Sequence, residues 1–289
     1  MGDVLAGIQA TWEFESDSVL IRYERGHRTP KLFQALRERR IPHEALASVT
    51  LTPGKRGTHV LRARPRPGAD PLIAAAAGQL REGNDPYRMV LPADREDAAV
   101  HFLDALRAVL PADADQPAVR YVVAAPGSPI AFKAYDARAS FDGRYVDFRW
   151  SRTGASSTKW KAGDQSFAVG ELSGVEWRAP EGLDGYLRLL RRTPDRAAPA
   201  DVAADKDPAA VVFGLRNGSL HESLPFAAAV LESVQRSGPA PALALAAATA
   251  RRDPADIAER IRHLGELRDA GLVTDAEFTS KKTELLAEL

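Results

Sequence analysis

Phe14-Glu-Ser-Asp-Ser-Val-Leu-Ile-Arg-Tyr23 returns further along the chain as Phe141-Asp-Gly-Arg-Tyr-Val-Asp-Phe-Arg-Trp150. Phe14 aligns with Phe141, Val19 with Val146, Ile21 with Phe148, Arg22 with Arg149 and Tyr23 with Trp150, an offset of 127 positions. Further out, Leu46, Val49 and Leu51 meet Leu172, Val175 and Trp177 at an offset of 126, as Leu61-Arg62 meets Leu187-Arg188. Asp85-Pro86 then meets Asp207-Pro208 at 122, the drop reading as a shorter loop. Each copy closes on a helical apolar pattern, Ala98 to Leu110 and Pro225 to Val234. The chain is therefore a tandem duplication, residues 10–110 and 130–236, followed by a tail.

Phe14, Val19 and Ile21, like Val175 and Trp177, alternate with the period of strands that bury one face. Pro53-Gly54, Asp142-Gly143 and Pro180 to Gly182 supply the turns between them. Antiparallel strands ending in one helix predict an α+β class, with each repeat a small barrel or curled sheet carrying a C-terminal helix. Pleckstrin-homology-like domains have this plan, and another small β-barrel or sandwich would share the element order. Pro111 to Pro129 and the stretch 237–253 read as Pro- and Ala-rich linkers, and Thr193 to Asp205 reads as a surface loop. Leu243 to Arg252 is alanine-rich enough to become a helical stalk.

Residues 254–289 read as a helical hairpin too small to stand alone. Asp253 can cap a helix with Pro254 in its first turn, and Ile257, Ile261, Leu264 and Leu267 recur at helical spacing until Gly271. Thr274 and Glu277 have capping-box spacing, followed by Phe278, Lys282, Leu285, Leu286 and Leu289 on one face. Two short helices leave an apolar face uncovered. Ile257, Ile261, Leu264, Leu267, Leu272, Phe278, Leu285 and Leu286 are therefore the candidate contacts to a second copy, another protein or the preceding domain.

Leu264, Leu267, Asp269-Ala270-Gly271-Leu272, Thr274, Glu277-Phe278, Lys281-Lys282 and Leu285-Leu286 make this segment resemble SHOCT, a short C-terminal domain of bacterial proteins. That resemblance implies oligomerisation or protein contact and no catalysis. Residues 10 to 236 in turn resemble an uncharacterised paired domain that precedes SHOCT in many actinobacterial proteins. Its first strands read Phe-Asp-Gly followed by hydrophobic-Arg-aromatic, a form that Ser140-Phe141-Asp142-Gly143 keeps better than Phe14-Glu15-Ser16-Asp17.

Composition narrows the function. Lys plus Arg and Asp plus Glu both number 39, so no global field favours nucleic acid or membrane. Aromatics at 7% and the lack of a recognised nucleic-acid motif further argue against nucleic acid. The absence of cysteine excludes disulfides, thiolate catalysis and cysteine metal sites. Met1 to Ala10 has no basic residue before its apolar positions, and no run approaches the length of a membrane span. A cytoplasmic protein is expected, or one peripheral at the inner membrane face. The six histidines contain no metal-binding pair, and phosphate-loop, dinucleotide and nucleophile-elbow motifs are missing. No cofactor, metal or enzymatic activity is expected; an enzyme assembled from separated residues is the remaining alternative.

The sharper signal is local charge. Arg22, Arg25, Arg28, Lys31, Arg37, Arg39 and Arg40 stand against Glu24 and Glu38, seven cations against two acids for a local +5. The matching connection carries Arg149, Arg152, Lys159 and Lys161 against Asp164 for +3, with Trp160 among them. Both copies thus place positive charge after what reads as strand one, where pleckstrin-like domains commonly line an anionic headgroup site. A solvated loop whose arginines pair elsewhere gives the same pattern. Trp12, Trp150 and Trp177 read as core residues, whereas Trp160, in a loop of Gly, Ser, Thr and Lys, reads as a partner contact. The expected protein is a non-catalytic binding or scaffold molecule whose hairpin joins it to itself or another protein, with an anionic membrane surface as the alternative partner.

Overall fold

The computed structural model describes residues 3–180, 184–192, 202–214 and 218–238. The predicted stalk and hairpin, with Ile257, Ile261, Leu264, Leu267, Leu272, Phe278, Leu285 and Leu286, lie outside the described residues, as do residues 193–201 of the predicted surface loop.

In the first repeat, β1 (Val4–Ala6), β2 (Ala10–Phe14), β3 (Ser18–Tyr23) and β4 (Glu38–Pro42) form a four-stranded sheet in that order. Between β3 and β4 lies a short helix, α1 (Lys31–Leu36). A second sheet follows, β5 (Leu46–Pro53), β6 (His59–Pro65) and β7 (Arg88–Leu91), with α2 (Pro71–Ala76) between its last two strands and α3 (Glu96–Ala108) closing the repeat. The second repeat copies this with β8 (Ile130–Lys133), β9 (Ala137–Phe141), β10 (Tyr145–Trp150), α4 (Ser157–Ala162) and β11 (Gln165–Ala168). Its three-stranded sheet is β12 (Leu172–Arg178), β13 (Tyr186–Arg191) and β14 (Ala210–Val212), closed by α5 (Leu220–Ser237). All pairings are antiparallel, so the α+β class holds.

The repeated decapeptide is a hairpin rather than one strand. Phe14 pairs with Val19 and Phe141 with Val146, so each copy contains the end of one strand, a turn and the next strand. In the second copy Gly143 takes φ +103°, which favours glycine, while the Asp142 carboxylate accepts from the N–H groups of Arg144 and Tyr145. The basic connections therefore follow the third strand of each repeat, and each contains a short helix where a loop was expected.

The two sheets of a repeat are tied by a repeated bond. The Ile8 N–H donates to the Val90 carbonyl at 2.8 Å, and the Tyr135 N–H to the Val212 carbonyl at 2.9 Å. The Asp-Pro turns are also structural. Asp85 accepts from the Tyr87 N–H and faces Arg62, and Asp207 accepts from the Ala209 N–H and faces Arg188. This explains why the Leu-Arg and Asp-Pro pairs recur together.

Each closing helix lies over its own sheets and completes the core. Trp12 and Phe102 meet edge-on in the first repeat, Phe132 and Phe226 in the second, and Trp177 donates to the Ser223 hydroxyl. The long helix α5 also packs against α1 and α2, so residues up to Gly238 form one compact unit. Gln79, just beyond α2, bridges the repeats. Its amide donates to the Trp177 carbonyl and its oxygen accepts from the Ala179 N–H. The stretch Pro111 to Pro129 is docked, with Val122 and Val123 N–H groups bonded to the Ala69 carbonyl and Val123 buried.

Candidate anion-binding surface

The basic residues of the two connections separate into a buried pair and an exposed set. Arg39 is on β4 with its side chain directed inward, where it makes a bidentate pair with Asp70 at 2.9 and 3.0 Å. Asp70 also caps α2 through the Leu72 N–H and accepts from the Tyr87 hydroxyl at 2.6 Å. Burial opposes the Arg39 charge, but the Asp70 carboxylate together with Tyr87 and Tyr23 outweighs it, and the guanidinium is raised further. Burial likewise raises the Tyr87 phenol.

Lys159 meets a similar end in the second repeat. The third residue of α4, it is fully buried under the Trp150 ring and donates to Asp136, whose other oxygen accepts from the Val212 N–H at 2.9 Å. Burial pulls the Lys159 ammonium down and pushes the Asp136 carboxyl up, and their mutual attraction works against both shifts. Arg39 and Lys159 are therefore unavailable to a ligand. Sequence spacing could not separate them from their neighbours, because a short helix and an inward-facing strand position turn single residues out of a charge run into the core.

The other ten residues of the predicted surface are exposed. Arg22 is held by Glu13 and Glu38, and Arg40 by Glu15, so these two are largely neutralised. Arg25, Arg28, Lys31 and Arg37 around α1 pair with no carboxylate among the described residues, nor do Arg149, Arg152 and Lys161 around α4. Trp160 is 54% exposed and sits on α4 itself, held there by the Ser156 cap and by Gly163, whose φ of +71° ends the helix. In the first repeat Arg37 occupies the place of Gly163 at φ +61°, a strained conformation for a residue with a Cβ. Trp12, Trp150 and Trp177 are buried as expected.

Two further features were not legible in the sequence. A cleft of about 700 Å³ lies along β6 and α2, lined by Arg62, Arg64, Ile73, Leu80 and Glu82 among others. Arg62 there pairs with both Glu82 and Asp85, so that part of its charge is satisfied within the cleft. A smaller one of about 510 Å³ opens at the seam between the repeats, beside Gln79 and Trp177. Among the described residues no group of three or more His, Asp or Glu side chains is placed to hold a metal, and no helix is long and apolar enough to cross a membrane.

The chain belongs to the family defined by the domain of unknown function DUF4429, which matches residues 12–107 and 139–231, the two halves of the duplication. Residues 259–286 match the short C-terminal domain SHOCT. Compared with curated proteins, the chain matches none.

Proposed function

We propose that the chain is a non-catalytic binding or scaffold protein, in which two pleckstrin-like repeats fused into one body present a ligand or partner surface. Four strands, three strands and a closing helix in each repeat support the pleckstrin-like reading. The observation that carries the functional one is the division of charge. Interior polar groups, Arg39 with Asp70 and Lys159 with Asp136, are consumed in structural pairs, while cations around α1 and α4 stay exposed without a carboxylate partner. Groups spent on internal pairing are poor acids or bases, whereas exposed unpaired cations attract anions. The hairpin 254–289 joins copies of the chain or docks another protein, so that weak contacts gain avidity.

Light scattering of the full chain and of a chain ending at Gly238 tests the assembly element. A multimer formed only by the full chain supports it; the same oligomeric state for the two removes self-assembly through the hairpin from the proposal. A second reading, a peripheral adaptor at the inner membrane face, is favoured by Trp160, an exposed aromatic next to Lys161. Sedimentation with vesicles that ignored anionic lipid content would reject it.

A further inference from the structure

Strand register sets three cations in one row across the first sheet of the second repeat. Lys133 on β8 pairs with Arg138 on β9, and Arg138 with Arg149 on β10. All three are exposed, while Phe132, Ala139 and Phe148 beside them turn inward. Side chains directly opposed on neighbouring strands have Cβ atoms roughly 5 Å apart, so like charges there repel and destabilise the sheet. No carboxylate among the described residues pairs with any of the three. Asp164, which continues the row where the first repeat has Glu38, accepts from the Trp150 N–H instead, and Asp147 lies in the adjacent row with Ser140 and Ser166.

The first repeat supplies an internal control. Its corresponding row is Ala6, Thr11, Arg22 and Glu38, and its single arginine is paired with Glu13 and Glu38. Ala6 and Thr11 correspond to Lys133 and Arg138, so the row gains two cations, while in the adjacent row Ser140 and Ser166 replace Glu13 and Arg40 and the acid moves to Asp147, the place of Leu20. The same end of the sheet leads into α4, which adds Arg152, Lys161 and the exposed Trp160.

We propose that this sheet face binds clustered phosphate groups, with Lys133, Arg138 and Arg149 neutralising them and Arg152, Lys161 and Trp160 extending the contact. A row of about 10 Å across three strands spans more than one phosphate, and the planar guanidinium fork matches phosphate oxygens. Repulsion left uncompensated in the free protein becomes attraction in the complex. The proposal rests on the anionic-surface reading above and narrows it to one repeat.

The test uses the full chain with phosphatidylglycerol-containing vesicles and, separately, with inorganic polyphosphate. K133S/R138T/R149S removes the row without touching the core, and R25S/R28S/K31S/R37S removes the exposed cations of the first repeat. Three charges worth roughly five-fold each near an anionic surface predict a loss on the order of 100-fold for the row variant, and a loss of no more than several-fold for the other. Vesicle binding that polyphosphate does not displace supports the proposal and assigns the phosphate to a headgroup; tight binding of polyphosphate itself supports it and assigns a free anion. If the wild type binds neither, the anionic-surface reading and the proposal both fall. Binding that the row variant keeps and the first-repeat variant loses overturns the proposal and leaves that reading standing. Preference for an oligonucleotide over both probes also overturns it.

Discussion

Phe33 in the first repeat and Lys159 in the second hold corresponding positions on the short helix after the third strand, and each lies over the aromatic ring that ends that strand. Phe33 stacks on Tyr23 with centroids 4.7 Å apart; the Lys159 ammonium sits 5.1 Å from the centre of the Trp150 ring. The second arrangement needs an acid, Asp136, where the first repeat has Gln9. The first repeat instead spends its buried ion pair elsewhere, between Arg39 and Asp70, and the residue corresponding to Arg39 is Gln165. The fold therefore demands that this corner be filled, not that it be filled with one chemistry. Where a charge does the filling, it needs a buried partner to offset its desolvation.

The largest expected effect breaks that comparison at Arg39. Arg39→Met leaves Asp70 buried without its cation and should destabilise the protein by about 3–5 kcal/mol in urea unfolding, whereas Gln165→Ala should change stability by less than about 1 kcal/mol. Equal effects at the two positions would mean that the Arg39 pair contributes nothing special to the first repeat.

Next comes a double-mutant cycle on the second repeat. Lys159→Met and Asp136→Asn should each destabilise, by roughly 3 kcal/mol, because each strands its partner in the core. The double variant should recover most of the loss, since Met fills the space over Trp150 and Asn still accepts from the Val212 N–H. Additive losses would sink the account of Lys159 as a paired filler.

The seam between the repeats offers a third, smaller test. Gln79→Ala removes both bonds to the second repeat, so a loss of about 1–2 kcal/mol and a separation of one unfolding transition into two would show how far the repeats depend on each other. No change in either would leave helix packing alone as the link.

Acidification should act through His43 and His221. Burial holds both imidazoles below their ordinary value, while Ser18 and Asp17 oppose this at His43, Glu222 opposes it at His221, and Lys31 adds to it there. A depressed histidine costs nothing while both states are neutral. Below about pH 6.5 the unfolded chain takes up the proton first, so stability falls as pH drops towards the folded-state value. His43→Phe, stacked in its place on Phe14, should flatten that slope; an unchanged slope would exclude His43 as its source.

The smallest effect runs the other way. Arg138→Thr copies Thr11 of the first repeat into the cation row and should stabilise the protein by about 0.2–1 kcal/mol at low salt, with the gain fading as salt rises. A loss of stability would show that the row is not under electrostatic strain.

Much of the architecture was legible because it was written twice. Offsets of 127, 126 and 122 located the strands and the shortened loop, and Asp85-Pro86 with Asp207-Pro208 marked a turn that the fold uses in both copies. The site was less legible. The charge run from Arg22 to Arg40 counted Arg39 as surface and left the Glu13 and Glu15 partners of its exposed members outside the reckoning. Lys133 and Arg138 went unnoticed, because they become neighbours of Arg149 only when β8, β9 and β10 pair. Asp70-Pro71, a cap and first-turn proline that the sequence reading passed over, starts α2, and its role as the anchor of Arg39 depends on residues 31 positions apart.

By itself, the sequence determined the duplication, the α+β class, the closing helices and the burial of Trp12, Trp150 and Trp177, since these follow from periodicity and local turn chemistry. Only the tertiary structure decided which cations are buried, which are neutralised across strands, and that α5 packs on α1 and α2 to merge the repeats into one unit. The reason is range. A strand or helix pattern is set by neighbours a few residues away, but the environment of a charge is set by whatever the fold brings within a few ångströms, and here that comes from other strands and helix ends of the same repeat.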